Sequence, residues 1–311
     1  MRSTLTMETS DVKTALRKKG PRPYGAEYLE QEQINTSGPP DNFGRIPGVD
    51  LRKNILDLVS RKCDERIDLS GQKLSELSHA IIIQAENIST PPLPISVSKF
   101  ILRDNLLRSI DPLVVRSFTC LRYLDAGRNR LEELPMELAE SSIQVMILDH
   151  NFLTSDHISK LFQHEPSMST PKRVFEHLHQ IDLSSNKLVT IPKELYNCSS
   201  LIKLLLSFNK IKNLSEWPNE GLNALETLDL SNNRLENISN FPQQCLASSP
   251  SLTTLLLQNN DIHSIPYELG LLTNLRHLNM KGNPQKAVRA NILEKSCGEI
   301  LAYLRAKIVR K

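Results

Sequence analysis

Half of the eight histidines, His157, His164, His177 and His179, fall in one stretch that also carries Asp156 and Glu165. Imidazoles and carboxylates gathered this way invite zinc. Zinc sites, however, set their ligands in tight pairs such as CxxC or a helical HExxH, and neither occurs here. The stretch therefore reads as a solvated loop with a short helix around Ile158, Leu161 and Phe162, and no metal or cofactor is expected. Asp149 beside His150 is a second arrangement with chemical potential, an acid–base dyad. Catalysis would also need a nucleophile or an oxyanion site, and the chain has no GxSxG, no phosphate-cradling glycine loop and no paired His/Cys motif. The sequence thus predicts no enzyme. The five cysteines, Cys63, Cys120, Cys198, Cys245 and Cys297, are odd in number and widely spread. They read as reduced thiols of a cytosolic or nuclear protein, mostly buried as small hydrophobes.

The elements that would position such groups follow from composition. The 311 residues hold 49 Leu and 23 Asn against 11 Gly and 5% aromatics, a pairing that points to an internal repeat. One frame recurs, LxxLxLxxNxL, cleanest from Leu178 to Leu188 and repeated from Leu201, Leu225 and Leu252. Earlier copies begin at Val97, Leu121 and Ile143; a last one begins at Leu275, and a weaker opening copy has Gln72 where Asn belongs. Nine units result, eight with asparagine in register: Asn105, Asn129, Asn151, Asn186, Asn209, Asn233, Asn260 and Asn283. Successive registers from Gln72 are separated by 33, 24, 22, 35, 23, 24, 27 and 23 residues. A period near 23 with two insertions is the signature of the leucine-rich repeat.

Each LxL is then a short strand with its two leucines turned inward and the residue between them outward. The strands pair in parallel, and the return path carries a second apolar set such as Leu188, Ile191, Pro192 and Leu195. The asparagine turns inward at the strand end, where its amide satisfies backbone groups that a buried bend would leave unpaired. The predicted fold is an α/β repeat solenoid, a leucine-rich-repeat horseshoe of about nine units with a parallel concave sheet and helical end caps.

Residues 1–48 lack periodicity and contain Gly-Pro, Pro-Pro and Ile-Pro-Gly, so they read as a mobile arm whose basic start, Arg17-Lys18-Lys19, is a solvated tail. Residues 49–66 are expected to form an N-terminal capping helix with Asp50 as N-cap, and 67–285 the repeats, with insertions near 78–96 and 154–177. Residues 286–311 are expected to form a C-terminal helical cap, opened by the capping box Ser296-Cys297-Gly298-Glu299. No catalytic domain is expected after it. No apolar run reaches the ~18 residues of a membrane helix, and the first residues lack a secretory h-region.

The closing segment carries a more specific likeness. Ile265-Pro266-Tyr267-Glu268-Leu269-Gly270 and Lys281-Gly282-Asn283-Pro284 lead into Arg289-Ala290-Asn291-Ile292-Leu293-Glu294-Lys295 and Ile300-Leu301-Ala302-Tyr303-Leu304-Arg305. This resembles the C-terminal end of the intracellular leucine-rich-repeat family of leucine-rich-repeat-containing protein 40. The resemblance implies an intracellular, repeat-only binding scaffold without a catalytic centre. It covers about the last 60 residues; Ser296-Cys297 stands where that family continues in a Lys-Gly turn, and that family carries about twice as many repeats.

Function on such a fold is expected on the concave face. Its central column reads Asp68, Ile101, Asp125, Ile147, Asp182, Leu205, Asp229, Leu256, Asn279, alternating acidic and aliphatic, a complement for a partner with basic and apolar groups. Beside it stand Tyr123, Arg128, His150, Lys203, Phe208, Arg276 and His277, among them the residue types richest in interface hot spots. The sequence predicts a monomeric protein-interaction scaffold binding a protein partner on this face. The alternative is a regulatory subunit acting on a bound phosphatase or small GTPase. A net charge of +3 argues against nucleic acid as the partner.

Overall fold

A computed structural model describes residues 65–77, 97–162, 175–214 and 216–308. The arm at 1–48, the insertion at 78–96 and residues 163–174 of the second insertion lie outside the described residues, as do His164, Glu165 and Cys63. So does the N-terminal helix expected at 49–66, except for its last two residues. There the expectation needs correction: Arg66 belongs to a strand, because its backbone pairs with Lys99.

Nine three-residue strands form one sheet in strict sequence order, every pair parallel. They are β1 (Arg66–Asp68), β2 (Lys99–Ile101), β3 (Tyr123–Asp125), β4 (Val145–Ile147), β5 (Gln180–Asp182), β6 (Lys203–Leu205), β7 (Thr227–Asp229), β8 (Thr254–Leu256) and β9 (His277–Asn279). The central residue of each strand faces inward; Phe100, Leu124, Ile181 and Leu204 are essentially fully buried, and Leu278 of the last strand is half-buried. The next inward residue follows the strand end and continues the ladder; Leu183, for example, donates its N–H to the Leu205 carbonyl at 2.8 Å.

Behind the sheet the chain returns through short helices: α1 (Pro112–Ser117), α2 (Ser155–Phe162), α3 (Phe241–Ser248) and the 3-10 turns Met136–Glu140, Lys193–Asn197 and Tyr267–Leu271. Helix α1 starts where Asp111 accepts the Leu113 N–H and Pro112 supplies a preset φ. Helix α2 lies in the second insertion and buries Ile158, Leu161 and Phe162. Aromatic rings fill the wider helical side: Trp217 packs on Phe241 and Tyr196 with centroids 5.2 and 5.6 Å apart, and donates its indole N–H to the buried Ser248 hydroxyl at 3.0 Å.

After β9 come α4 (Ala290–Leu293) and α5 (Cys297–Ile308). Glu299 accepts both the Ser296 N–H and its hydroxyl, which starts α5. Ile300, Leu301 and Leu304 are buried, and Arg305 donates to the Gly270 carbonyl at 3.2 Å. Gly270 permits this approach: a Cβ there would lie 2.6 Å from the Arg305 nitrogen and 2.9 Å from the Leu301 oxygen.

Candidate functional site: the inner sheet face and its loop edge

The residue before each register asparagine adopts a left-handed conformation in all eight units: Asp104, Arg128, His150, Ser185, Phe208, Asn232 and Asn259 have φ of 53° to 57°, and Gly282 has 73°. This reversal turns the asparagine inward. Asn209 is representative: its Nδ2 donates to the carbonyls of Leu183, one unit back, and Leu206, in its own unit, at 2.9 and 3.1 Å. Its Oδ1 accepts the Leu188 N–H at 3.0 Å. Asn105, Asn129, Asn151, Asn186, Asn233 and Asn260 make the equivalent bonds and are likewise buried. Asn283 does the same in a half-exposed setting at the last unit. In each case the bond to the preceding unit's carbonyl and the one accepted from its N–H tie two neighbouring units, and the third closes the asparagine's own turn.

Strand register puts the central column in line, Asp68 opposite Ile101, Ile101 opposite Asp125, and so on to Leu256 opposite Asn279. The column is not uniform. Ile101, Ile147, Asp182, Leu205, Asp229 and Leu256 are half-buried, whereas Asp125 is buried to 8% exposure. Asp125 is therefore not a contact residue in the sense its position suggests. Its carboxylate accepts from Arg103 Nη1 at 3.2 Å and from the Gly127 N–H at 3.0 Å.

Arg103 is the centre of the one dense polar cluster described on this face, and sequence reasoning missed it. Its guanidinium grips Asp149 with two bonds, Nη1 to Oδ1 at 2.8 Å and Nη2 to Oδ2 at 2.9 Å. Arg103, Gly127 and Asp149 occupy the same position in three successive units, so the arginine spans a whole repeat. It can do so because Gly127 has no side chain: a Cβ would sit 2.4 Å from Nη1 and 2.3 Å from the Asp149 Oδ1. The signal was present in the sequence as two lone opposite charges flanking a glycine, in a column otherwise filled largely by Ser70, Ser184, Ser207 and Ser231.

His150 adds a contact from Nδ1 to Asp149 Oδ2 at 2.9 Å. Burial alone would raise the Asp149 carboxyl, but the hydrogen bonds and charges of Arg103 and His150 outweigh it and hold it below the ordinary aspartate value. One unit on, Asp182 behaves oppositely. Burial pushes its carboxyl up, repulsion from Asp149 adds to this, and the Ser184 N–H at 2.9 Å only partly offsets them. Burial and the Asp125 charge raise the Tyr123 phenol. The Asp149–His150 pair is thus engaged by Arg103 as a structural clamp, with no serine or cysteine nucleophile hydrogen-bonded to its imidazole among the described residues.

The remaining residues singled out from sequence divide by place. Tyr123, Lys203 and His277 share the column at the strand starts, Tyr123 half-buried and the other two exposed; Arg276 precedes it and is exposed. Arg128, His150 and Phe208 share the left-handed loop column, with Phe208 46% exposed. Arg128 lies 3.9 Å from Asp104. The structure brings Tyr123, Asp125, Arg128 and His150 around Arg103, but Arg276 and His277 lie six strands from β3, about 29 Å along the sheet at 4.8 Å per strand. No group of His, Cys, Asp and Glu among the described residues could hold a metal ion. No described helix is long and apolar enough to cross a membrane. Of the described thiols, Cys198 and Cys245 are buried and Cys297 half-buried, but Cys120 is exposed.

Comparisons with known proteins agree with this geometry. Residues 176–235 match the family model "Leucine rich repeat" and residues 250–290 match "Leucine Rich repeats (2 copies)". Toll-like receptor 9 of Homo sapiens is 30% identical over 233 residues, 68% of this chain and 22% of that protein. Tsukushi of Gallus gallus is 30% identical over 164 residues, 52% of this chain and 41% of that protein. The chain thus spans less than half the length of these curated relatives. Among solved structures, a leucine-rich-repeat protein of Leptospira interrogans superposes with TM-score 0.50 at 21% identity, covering 76% of this chain and 71% of that one. The functional domain of InlJ from Listeria monocytogenes gives 0.51 at 19% identity, over 74% of this chain and 42% of that one. By architecture and by matched repeats, the chain is a leucine-rich-repeat solenoid.

Proposed function

We propose that the chain is a non-catalytic scaffold that binds a protein partner on its inner sheet face. One observation carries this: Ile101, Ile147, Leu205 and Leu256 stand in strand register on that face and remain only half-buried, alternating with carboxylates. A rigid sheet displaying apolar side chains in a fixed row is preorganised, so a partner meets little ordering cost there. Tyr123, Arg128, His150, Lys203, Phe208, Asp182, Asp229, Arg276 and His277 frame the row. Asp125 contributes by fixing Arg103. The partner is a monomer's ligand rather than a second copy, and carries basic and apolar groups.

The setting is the cytosol or nucleus. Free thiols at Cys120, Cys198, Cys245 and Cys297 support it, as does the likeness of the closing segment to intracellular repeat proteins. Affinity capture with the intact chain against a Leu205→Arg, Leu256→Arg variant tests the reading. The variant should lose specific partners; identical captured sets would remove the inner face from the argument. Assaying any captured phosphatase or small GTPase with and without the chain separates pure scaffolding, which leaves the rate unchanged, from regulation.

A further inference from the structure

Away from the inner face, the residues that follow the register asparagines make a row along the loop edge. In successive units it reads Lys73, Leu106, Arg130, Phe152, Lys187, Lys210, Arg234. The row is held in register by backbone bonds: Lys187, Lys210 and Arg234 donate their N–H groups to Leu153, Leu188 and Ile211 of the preceding units at 2.8 to 2.9 Å. It contains no carboxylate before Asp261. Lys187, Lys210 and Arg234 are exposed, and none of them has an ion-pair partner among the described residues. Lys187 lies 4.2 Å over the Phe152 ring, which fixes one cation against one apolar surface. Of the seven exposed large apolar side chains among the described residues, four belong to this edge: Leu106 and Phe152 in the row, Val189 and Phe208 beside it. Cations and apolar groups therefore concentrate on the same strip of a chain that is otherwise nearly neutral.

We infer that this edge is a second docking surface, and that its occupant is an extended acidic peptide segment of another protein with apolar side chains among its carboxylates. From Arg130 to Arg234 the row advances four units, about 19 Å, which an extended chain crosses in about six residues. On one side of such a chain, carboxylates recur every ~6.7 Å, within reach of flexible lysine and arginine heads spaced ~4.8 Å apart at the backbone. A nucleic acid fits less well. Leu106, Phe152, Val189 and Phe208 interrupt the cations with exposed apolar side chains, which complement apolar side chains of a peptide and offer a continuous phosphate backbone little.

The test is fluorescence anisotropy of the full chain with a terminally labelled peptide of alternating glutamate and leucine, about eight residues long. Binding should weaken with salt, and Lys210→Glu or Arg234→Glu should each weaken it roughly tenfold. Lys160→Glu, the same charge change on helix α2, should leave it unaltered. Equal loss in Lys160→Glu and Lys210→Glu overturns the assignment, because only net charge would then matter. Tighter binding of a single-stranded oligonucleotide, lost in the same edge variants, overturns the peptide in favour of nucleic acid. Leu205→Arg distinguishes the two faces: loss there with retention in Lys210→Glu would move the peptide to the inner sheet and refute the edge.

Discussion

Replacing Gly127 by alanine isolates the Arg103 clamp. The new Cβ would stand 2.3 Å from the Asp149 Oδ1 and 2.4 Å from Arg103 Nη1, and both atoms are the ends of side chains. The backbone can therefore stay in place while the guanidinium is displaced, so the cost is that of the clamp rather than of a clash. Two charge-assisted bonds to Asp149 are lost, each worth about 1.5–3 kcal/mol when fully made. Two effects reduce this. The Arg103 side chain is already 29% exposed, so water recovers part of its solvation, and Asp149 keeps its His150 contact. The expected net loss is about 2 kcal/mol, roughly a thirtyfold change in the folding equilibrium. Urea unfolding followed by Trp217 fluorescence and far-ultraviolet circular dichroism measures it. The decisive comparison is the same substitution in an Arg103→Ala background, where it should cost no more than about 0.5 kcal/mol, because the interaction it disrupts is already gone. An equal loss in both backgrounds would show that Gly127 serves the backbone, and the spanning role of Arg103 would fall.

The ladder gives a graded series: Asn209→Ala leaves the buried Leu188 N–H unpaired and removes one of two amide donors from the Leu183 and Leu206 carbonyls, which keep Asn186 and Asn233, and should cost about 2 kcal/mol, whereas Asn283→Ala, half-exposed, should cost about 1 kcal/mol by denaturant titration. The two carboxylates should show opposite pH signs. Asp149, lowered in the fold, stabilises above its unfolded value of 3.8 and loses that contribution as pH falls through its folded value; Asp149→Asn should therefore cost stability at pH 7, and the cost should shrink as the pH is taken down through that range. Asp182, raised in the fold, costs stability as pH rises through its folded value, so Asp182→Asn should be neutral to stabilising at pH 7, with any gain fading in acid. Gly270→Ala would push a Cβ into backbone atoms of α5, costing about 1–3 kcal/mol and exposing the α5 amides to faster hydrogen exchange than those of β5. Phe208→Gly relieves a left-handed conformation worth about 1–2 kcal/mol against about 0.5–1 kcal/mol of added backbone entropy, so stability should hold or rise by up to about 1 kcal/mol; a loss above about 2 kcal/mol would mean the ring packs into the fold.

What could be read from sequence is what repeats. The frame placed the nine strands because identical local pattern in adjacent units must pair in register, and the central column from Asp68 to Asn279 follows from that alone. Arg103 escaped because its meaning is not in its own unit. It acts across Gly127 on a residue 46 positions away, and only the absence of a side chain in between allows it. Burial of Asp125 escaped for the same reason: the column position says outward, but the arginine lying over it closes the access that position would otherwise give. The left-handed residues could be read from type only in part: Asp104, His150, Asn232, Asn259 and Gly282 are types favoured at positive φ, whereas Arg128, Ser185 and Phe208 are not. Their conformation is imposed by the asparagine that follows them.

That imposition links stability to display. A left-handed turn costs roughly 1–2 kcal/mol in a non-glycine residue, and the fold repeats it in seven such units of the eight. The asparagine bonds offset it: each side chain accepts one buried N–H and donates to carbonyls of two units, which no side chain lacking both an acceptor and a two-proton donor could do. With Asn209 pinned inward, Phe208 and Lys210 on either side of it have nowhere to go but out. The flanking positions are thus released from the core and can carry arginine, histidine, phenylalanine or lysine without a packing constraint. This is why Phe152 and Phe208, the exposed phenylalanine rings among the described residues, stand at the loop edge beside Lys187 and Lys210. It is also why substitutions there should alter what the protein binds while leaving its unfolding midpoint nearly where it was.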